Sequence, residues 1–446
     1  MKLLLKLRLT IFGFFIFLVL IISTFVQSAH SDGLFEENLP PATVGDRNLS
    51  LYTKITPPIF TPESKENSFL QLKLFDTKTG NNVQNVNYFV TITKADKVLM
   101  RELFFSNQGP LTIKMVPSNG KVTINSSTES FLGGWTSNTG QISVKGPILI
   151  EGGLFHITIE IFGIDNPRNI FAPEEAPRFN SYLSIGDIYS ENISHKSTNY
   201  NATLISYYDK IKDFNFDEHS LKASWEMPFN WDLSRIKSNN IFVHEELKMP
   251  KSFKDFSQGG TLNASVNNQP IGGRALAIDP FSSKNALVIH FLLNKNDLIK
   301  LAQNKEVLLD GNNSMSFAIR PSNMTRMTST NITTDTGGID AALIWSPSNP
   351  NSLNTTKLRI VFTDALNDKP ITGDVNYNLI VKSDTGKEII KEQNIKGENG
   401  TSNKIIKFPS KGTYQIELDL RSIQNPNQTS PDISRAGIAR GFVVVS

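Results

Sequence analysis

The sequence predicts a mainly β protein: two repeated β-sandwich modules flanking a β-rich middle domain with one short helix, all after an N-terminal signal or anchor segment. Three observations carry this expectation. The two ends of the chain repeat each other. Short runs of alternating apolar and polar residues are bounded by turn residues, the period of half-buried strands. One long uncharged apolar run stands at the beginning.

That run comes first in order. Lys2, Lys6 and Arg8 precede the stretch from Leu9 to Val26, which carries no charge. Basic residues before a hydrophobic stretch keep the basic end in the cytoplasm. The stretch is long enough for a short spanning helix and longer than a usual signal-peptide core. Residues 1–31 therefore read as a cleaved signal peptide or a retained anchor, with small residues Ser28 and Ala29 available to a peptidase. Either form places the remainder outside the cytoplasm. Residues Asp32 to Arg47 read as a polar tether bearing prolines.

The repeat sets the domains. Gly153-Leu-Phe155-His-Ile157-Thr-Ile159-Glu-Ile161 is echoed without a gap by Gly412-Thr-Tyr414-Gln-Ile416-Glu-Leu418-Asp-Leu420. Leu70, Leu72 and Leu74 match Leu358, Ile360 and Phe362, and Val86-Asn87-Tyr88 matches Val375-Asn376-Tyr377. Ile59-Phe60-Thr61-Pro62 is aligned with Ile344-Trp345-Ser346-Pro347 as a fourth anchor. The modules are expected at 48–167 and 339–446, and the middle domain at 181–320. From Val86 to Gly153 is 67 residues, but from Val375 to Gly412 only 37, so the first module carries an insertion of about 30 residues around Asn125 to Thr139. Surface insertions cost little stability. Gly133-Gly134-Trp135 inside it reads as a turn whose Trp folds over the module's own core.

Asn166 to Asn180, with Pro167, Pro173 and Pro177, reads as a stiff linker, and Pro321 to Gly338, rich in Ser and Thr, as an exposed spacer. Between them, strands are expected at Ile241–Leu247, Ala275–Ile278, Ala286–Leu293 and Met315–Ile319, and a helix at Asp297 to Gln303 capped by Asn296. Trp225, Phe229 and Trp231 are expected inside the middle domain, since Trp is highly buried on average.

Composition bounds the function. Hydrophobic residues make up 39% of the 446, enough for packed cores. The net charge of +3 is too small and too dispersed for a nucleic-acid partner. There is no cysteine, which excludes disulfides and thiolate metal sites. Sequons begin at Asn48, Asn125, Asn192, Asn201, Asn263, Asn312, Asn323, Asn331, Asn354, Asn399 and Asn427, and their spread over expected loops and turns favours an exported glycoprotein.

Chemistry-bearing patterns are few. His244-Glu245-Glu246 begins a zinc-protease motif, but Lys248 stands where the second His belongs. No Gly-x-Ser-x-Gly elbow and no phosphate loop is present. Asp213-Phe-Asn215-Phe-Asp217-Glu218-His219 is the densest ligand cluster, and alternating oxygens could face one calcium ion. Asp213, Asp217, Glu218 and His219 are therefore the candidate metal ligands, for calcium or for copper. The competing reading puts Phe214 and Phe216 in a core with the acids facing water. His30, the first residue after a cut behind Ala29, is a second copper candidate. His156 and His290 lie in strand-like runs, where a hydrogen-bonded sheet His is the commoner role.

Gly412-Thr-Tyr414-Gln-Ile416 resembles the strand of immunoglobulin-like domains that carries the tyrosine corner. Phe155 takes the same place in the first module and lacks the hydroxyl. Val243-His-Glu-Glu-Leu-Lys-Met-Pro-Lys-Ser-Phe253 and the run from Ala277 to Asn294 are similar to the middle region of uncharacterised exported proteins of ammonia-oxidising archaea, which flank it with immunoglobulin-like modules. That resemblance implies a cell-envelope location and carries over no activity, cofactor or site residue. The function expected is an exported, non-catalytic adhesion, scaffold or binding module. Its partner would be an envelope protein or glycan, and it would touch the membrane only through its N-terminal segment. A metal-binding protein and an exported hydrolase are the alternatives.

Overall fold

The strand Arg178–His195 belongs to two domains at once and sets the architecture. Its first half pairs with Gly153–Gly163 and its second with Thr198–Ser206, so one sheet runs unbroken from the first module into the middle domain. The computed structural model describes residues 35–61, 68–95, 97–239, 241–257, 262–279, 283–303, 313–322, 331–334, 338–365, 369–426, 431–433 and 435–446. The leader, His30, Asn312, Asn323 and Asn427 lie outside these residues. No helix among the described residues is long and apolar enough to cross a membrane.

The last module is the simpler copy. Ile339–Ser346, Thr355–Asp364 and Thr401–Lys407 form one sheet, edged by Asn331–Thr333. Glu388–Gly397, Asp374–Ser383, Gly412–Gln424 and Gly437–Val445 form the facing sheet. The chain changes sheet after its second strand, returns for its fifth and leaves again for its last two. This is an immunoglobulin-like sandwich. Alternate residues of each strand point inward, so Leu358, Ile360, Phe362, Leu379, Val381, Ile416 and Leu418 fill one core. The expected tyrosine corner is formed: Tyr414 donates to the carbonyl of Ser410 at 2.8 Å.

The first module repeats this plan. Arg47–Thr56, Ser68–Asp76 and Leu111–Pro117 pair in that order, against Lys97–Ser106, Val86–Lys94, Gly153–Gly163 and the start of Arg178–His195. The duplication extends to register. Ile161 stands across from Tyr88, and Leu420 across from Tyr377. One residue further, both ladders bulge, Gly163 pairing with Asn87 and Ser422 with Asn376. The insertion lays Gln141–Gly146 beside Leu111–Pro117 and Trp135–Thr136 beside Lys97–Ser106, so it extends both sheets at their edges. Trp135 packs against the module's own core and donates from Nε1 to Glu102 at 3.1 Å.

Four expectations need correction. The fourth repeat anchor is displaced: Ile55 pairs with Leu70 as Trp345 pairs with Leu358, so Ile55-Thr56-Pro57 is the counterpart of Trp345-Ser346-Pro347. Ile59–Phe60 instead pairs in parallel with Gly186 and Asp187. The region Asp32 to Arg47 is no free tether, because Glu36–Asn38 and Ala42–Val44 both pair with Arg47–Thr56 and Leu39 is buried. The proline-bearing stretch after Asn166 is the loop before the first module's last strand, not a linker, and that module ends inside Arg178–His195 rather than at 167. The spacer ending at Gly338 contains Ile332, Thr333 and Thr334, all buried, with Asn331–Thr333 pairing to Ile339–Ser346.

In the middle domain, Thr198–Ser206, Val243–Pro250, Ala286–Leu293 and Leu276–Asp279 continue the shared sheet. A second sheet of Lys212–Asp217, Lys222–Pro228, Ser314–Pro321, Leu262–Val266 and Gln269–Ile271 covers it. Trp225 stacks on Phe317 at 5.4 Å, and Phe291 sets its edge against both. The helix is Lys295–Ala302, starting two residues earlier than expected. Asn294 rather than Asn296 caps it, because Asn294 and Asp297 exchange the reciprocal bonds of a capping box.

The middle domain and the last module meet through two arginines. Arg274 donates to Asp340 at 3.0 Å and to the carbonyl of Ala365 at 2.9 Å, while its other nitrogen faces Asp297 at 3.4 Å. Arg440 lies 3.2 Å from both Asp279 and Glu417. Asn294 also donates to Ala365 across this seam. Gly33–Ser446 is thereby one compact unit of three sandwiches, with sheet hydrogen bonds at one junction and ion pairs at the other.

Candidate functional site

A cleft of about 160 Å³ opens where the first module meets the middle domain. Its position follows from the shared strand, because the loops at the end of one sandwich are held against the start of the next. Lys94 ends one strand of the first module. Leu154 and His156 begin another, Tyr182 lies on the shared strand, and Tyr208, Asp209, Arg235 and Asn239 come from the middle domain.

His156 and Tyr182 are direct cross-strand partners, and their rings stack at 4.5 Å with 5° between planes. Burial pushes the His156 imidazole below its ordinary value, an effect the hydrogen bond to Asn180 opposes and the nearby Arg178 reinforces. Burial likewise raises the Tyr182 hydroxyl, which donates to Asn239 at 2.9 Å. The wall is thus a neutral aromatic pair with a fixed donor. Opposite it, Arg235 donates to the Tyr208 hydroxyl at 2.8 Å and lies over the Phe229 ring. The short helix Leu233–Ser238, capped by Asp232, sets the direction of that guanidinium. Lys94 contacts Asp209 at 3.1 Å and the carbonyl of Gly152 at 2.7 Å.

Gly153 makes this approach possible. Its φ is +123°, and a Cβ there would sit 2.7 Å from the Tyr208 carbonyl oxygen and 2.9 Å from the Lys94 side chain. Its repeat counterpart Gly412 shares the unusual φ but faces open space. The glycine common to both modules therefore has a second use in the first.

Behind the cleft lies Glu245, fully buried. It shares a face with Val243, Leu247 and Met249, which point into the middle core. Burial pushes its carboxyl well above the ordinary value, against the lowering effect of Ser206. Ser206 Oγ lies 2.7 Å from Glu245 and 2.6 Å from the carbonyl of Asp209. A hydroxyl has one proton, and a neutral Glu245 satisfies both contacts: the carboxyl donates to Ser206, which donates to Asp209.

The candidate ligands Asp213, Asp217, Glu218 and His219 fall on and just after Lys212–Asp217, an edge strand. Asp213 is exposed, at a register break in the ladder. Asp217 accepts from the backbone of His219 at 3.0 Å and the hydroxyl of Ser220 at 2.5 Å, bonds that hold its carboxyl below the usual value. Glu218 accepts from the backbone of Lys196 and faces His195 at 3.5 Å. Phe214 and Phe216 pack against the middle core. Among the described residues, the metal-ligating side chains whose atoms gather within 4.8 Å of one another are different ones: His244, Glu246 and His290. Trp225 and Trp231 are both buried.

Eight sequon asparagines fall among the described residues: Asn48, Asn125, Asn192, Asn201, Asn263, Asn331, Asn354 and Asn399. All eight are exposed. Asn192 and Asn201 stand directly opposite each other on neighbouring strands.

The cleft residues carried no motif in the sequence. The one legible signal was that His156 alternates outward from Phe155 and Ile157; its neighbours come from sequence positions up to 147 residues apart, Lys94 to Ile241.

No protein-family model matches the chain, and no curated protein matches it. Two solved structures align over most of its length. One is FdeC, an Escherichia coli adhesin, at 11% identity over 88% of this chain and 95% of that one, with a TM-score of 0.15. The other comprises domains A168–A170 of titin, at 8% identity over 90% and 96%, with a TM-score of 0.12. The assignment of the sandwiches rests on their own strand order.

Proposed function

We propose that this chain is a non-catalytic binding module of the cell envelope, which presents the cleft between its first two sandwiches to a glycan. The observation that carries this reading is the stacked pair of His156 and Tyr182, which together with Arg235 and Asn239 lines a cleft between two sandwiches that share one strand. Aromatic faces receive the apolar face of a sugar ring, and fixed polar groups receive its hydroxyls. The cleft is below the ~300 Å³ of ordinary drug-sized pockets, so it suits one ring or chain end. Its mixed charge, with Lys94 set against Asp209, favours a neutral polar ligand over a polyanion.

Export is part of the proposal and is supported by the basic-then-apolar leader and by the exposure of the eight described sequons.

The test is a glycan array followed by calorimetry on the chain from Gly33 onward, with neutral oligosaccharides and with acidic ones. Binding of a neutral sugar that drops at least tenfold in both Tyr182→Ala and Arg235→Ala supports the reading. Retention of affinity in both variants, or a ligand set made only of acidic polymers, refutes it.

A further inference from the structure

His244, Glu246 and His290 meet on the opposite side of the middle domain's sheet from Glu245. Val243–Pro250 alternates, so His244, Glu246 and Lys248 face away from the middle core. Glu246 and His290 are cross-strand partners. A sheet face turned from its own core is normally wet, yet these three side chains are buried, at 2%, 0% and 6% exposure. Tyr207 stacks on His244 at 4.6 Å. His290 borders a cavity of about 20 Å³ whose other walls include Thr333, Ile438 and Arg440 of the last module. The cluster thus lies at the seam between the middle domain and the last module.

We propose that His244, Glu246 and His290 form a binding site for a divalent transition ion of the zinc type at this seam. His244 Nε2 lies 3.2 Å from His290 Nδ1, and His290 Nδ1 lies 3.7 Å from Glu246 Oε2. Neighbouring donors about 2.05 Å from a tetrahedral ion stand about 3.3–3.4 Å apart, so small side-chain movements bring all three onto one centre. Two imidazoles and one carboxylate are a borderline set that suits zinc, with cobalt(II) and copper(II) as competent substitutes. Lys248 does not block it. Its ammonium lies 2.7 Å from Oε1 of Glu246, the oxygen turned from the imidazoles in the described contacts, and its side chain is a third exposed. Oε2 is left to bind the ion while Oε1 keeps Lys248 as an outer partner. One ring nitrogen now donates to the other, and an ion takes both lone pairs once that proton moves to the far nitrogen of its ring.

This site shares no residue with the cleft, and its ligands differ from Asp213, Asp217, Glu218 and His219. The experiment is titration of the metal-free chain from Gly33 onward with cobalt(II), read by ligand-field absorption, and with zinc(II), read by calorimetry. One equivalent with the intense absorption of a four-coordinate centre is expected. Affinity should fall at least tenfold in His290→Gln, His244→Gln and Glu246→Gln, and be unchanged in Asp217→Ala. Absence of one-equivalent binding, or binding that survives both His variants, overturns the proposal. If the variants do not fold, copper(II) resonance of the unaltered chain decides: coupling to two imidazole nitrogens supports the site, and coupling to one or none overturns it.

Discussion

The hydroxyl of Tyr414 donates to the backbone carbonyl of Ser410, closing the corner between the fifth and sixth strands of the last module. Phe155 holds the same place in the first module, fully buried and without a hydroxyl. Tyr414→Phe keeps the ring and its core contacts but removes this bond together with those the hydroxyl makes to the Ser410 N–H and Oγ, so the loss should be about 1–2 kcal/mol. Urea unfolding should show a lower midpoint with an unchanged slope. A change well below 0.3 kcal/mol would mean that water replaces the bond at the exposed Ser410.

Glu245 makes stability fall with rising pH. Its folded value lies well above 4.5, the value it regains when unfolded. Below 4.5 both states hold the proton and the full contribution is present. Above it the unfolded chain releases a proton that the folded chain keeps, so stability is lost until the folded value is passed. The slope for one proton is about 1.4 kcal/mol per pH unit. Glu37 is also raised by burial, so the comparison must be between variants. Glu245→Gln should remove this share of the slope and gain on the parent as pH rises from 4.5. Parallel stability–pH curves for the two would contradict a neutral Glu245.

Arg274 and Arg440 carry the seam between the middle domain and the last module. Removing one partner of a buried, hydrogen-bonded ion pair typically costs about 3–5 kcal/mol, and partial exposure of these pairs should bring the cost toward or below the lower end. Calorimetry of the double variant Arg274→Ala, Arg440→Ala should split the unfolding of these two domains into separate transitions. Limited proteolysis should then separate the two domains. A single undivided transition would show that apolar contact suffices.

Gly186 is where the shared strand changes partners, Ile185 pairing with Gly153 and Asp187 with Ser206. A Cβ at 186 would sit 2.7 Å from Ile205 and 2.8 Å from the Tyr207 ring. Gly186→Ala should cost about 1–3 kcal/mol as overpacking, and weaken the cleft by moving Tyr182. Ligand affinity and unfolding measured together would test this. An unaffected cleft would show that the two halves of the strand move independently.

The duplication, the strand runs, the tyrosine corner and the buried tryptophans were legible in the sequence because each is set by local pattern. Alternation fixes which face of a strand is apolar, and a repeated pattern keeps its register through duplication, down to the bulge beside Tyr88 and Tyr377. Junctions were not legible. Prolines after Asn166 look the same whether they end a domain or form a loop before its last strand. A polar segment such as Glu36–Asn38 becomes a strand because a neighbouring edge offers its backbone groups, which no side chain announces.

The same reasoning divides the candidate sites. The sequence by itself determined a mainly β chain with duplicated sandwiches, since local periodicity and repetition suffice for that. Only the tertiary structure decided that His244 and His290, 46 residues apart, lie 3.2 Å from each other, and that His156 and Tyr182 stack in a cleft with Arg235. Such meetings depend on which strands pair and which domains abut. Those choices are made by burial of whole faces, not by the residues that come to share a site.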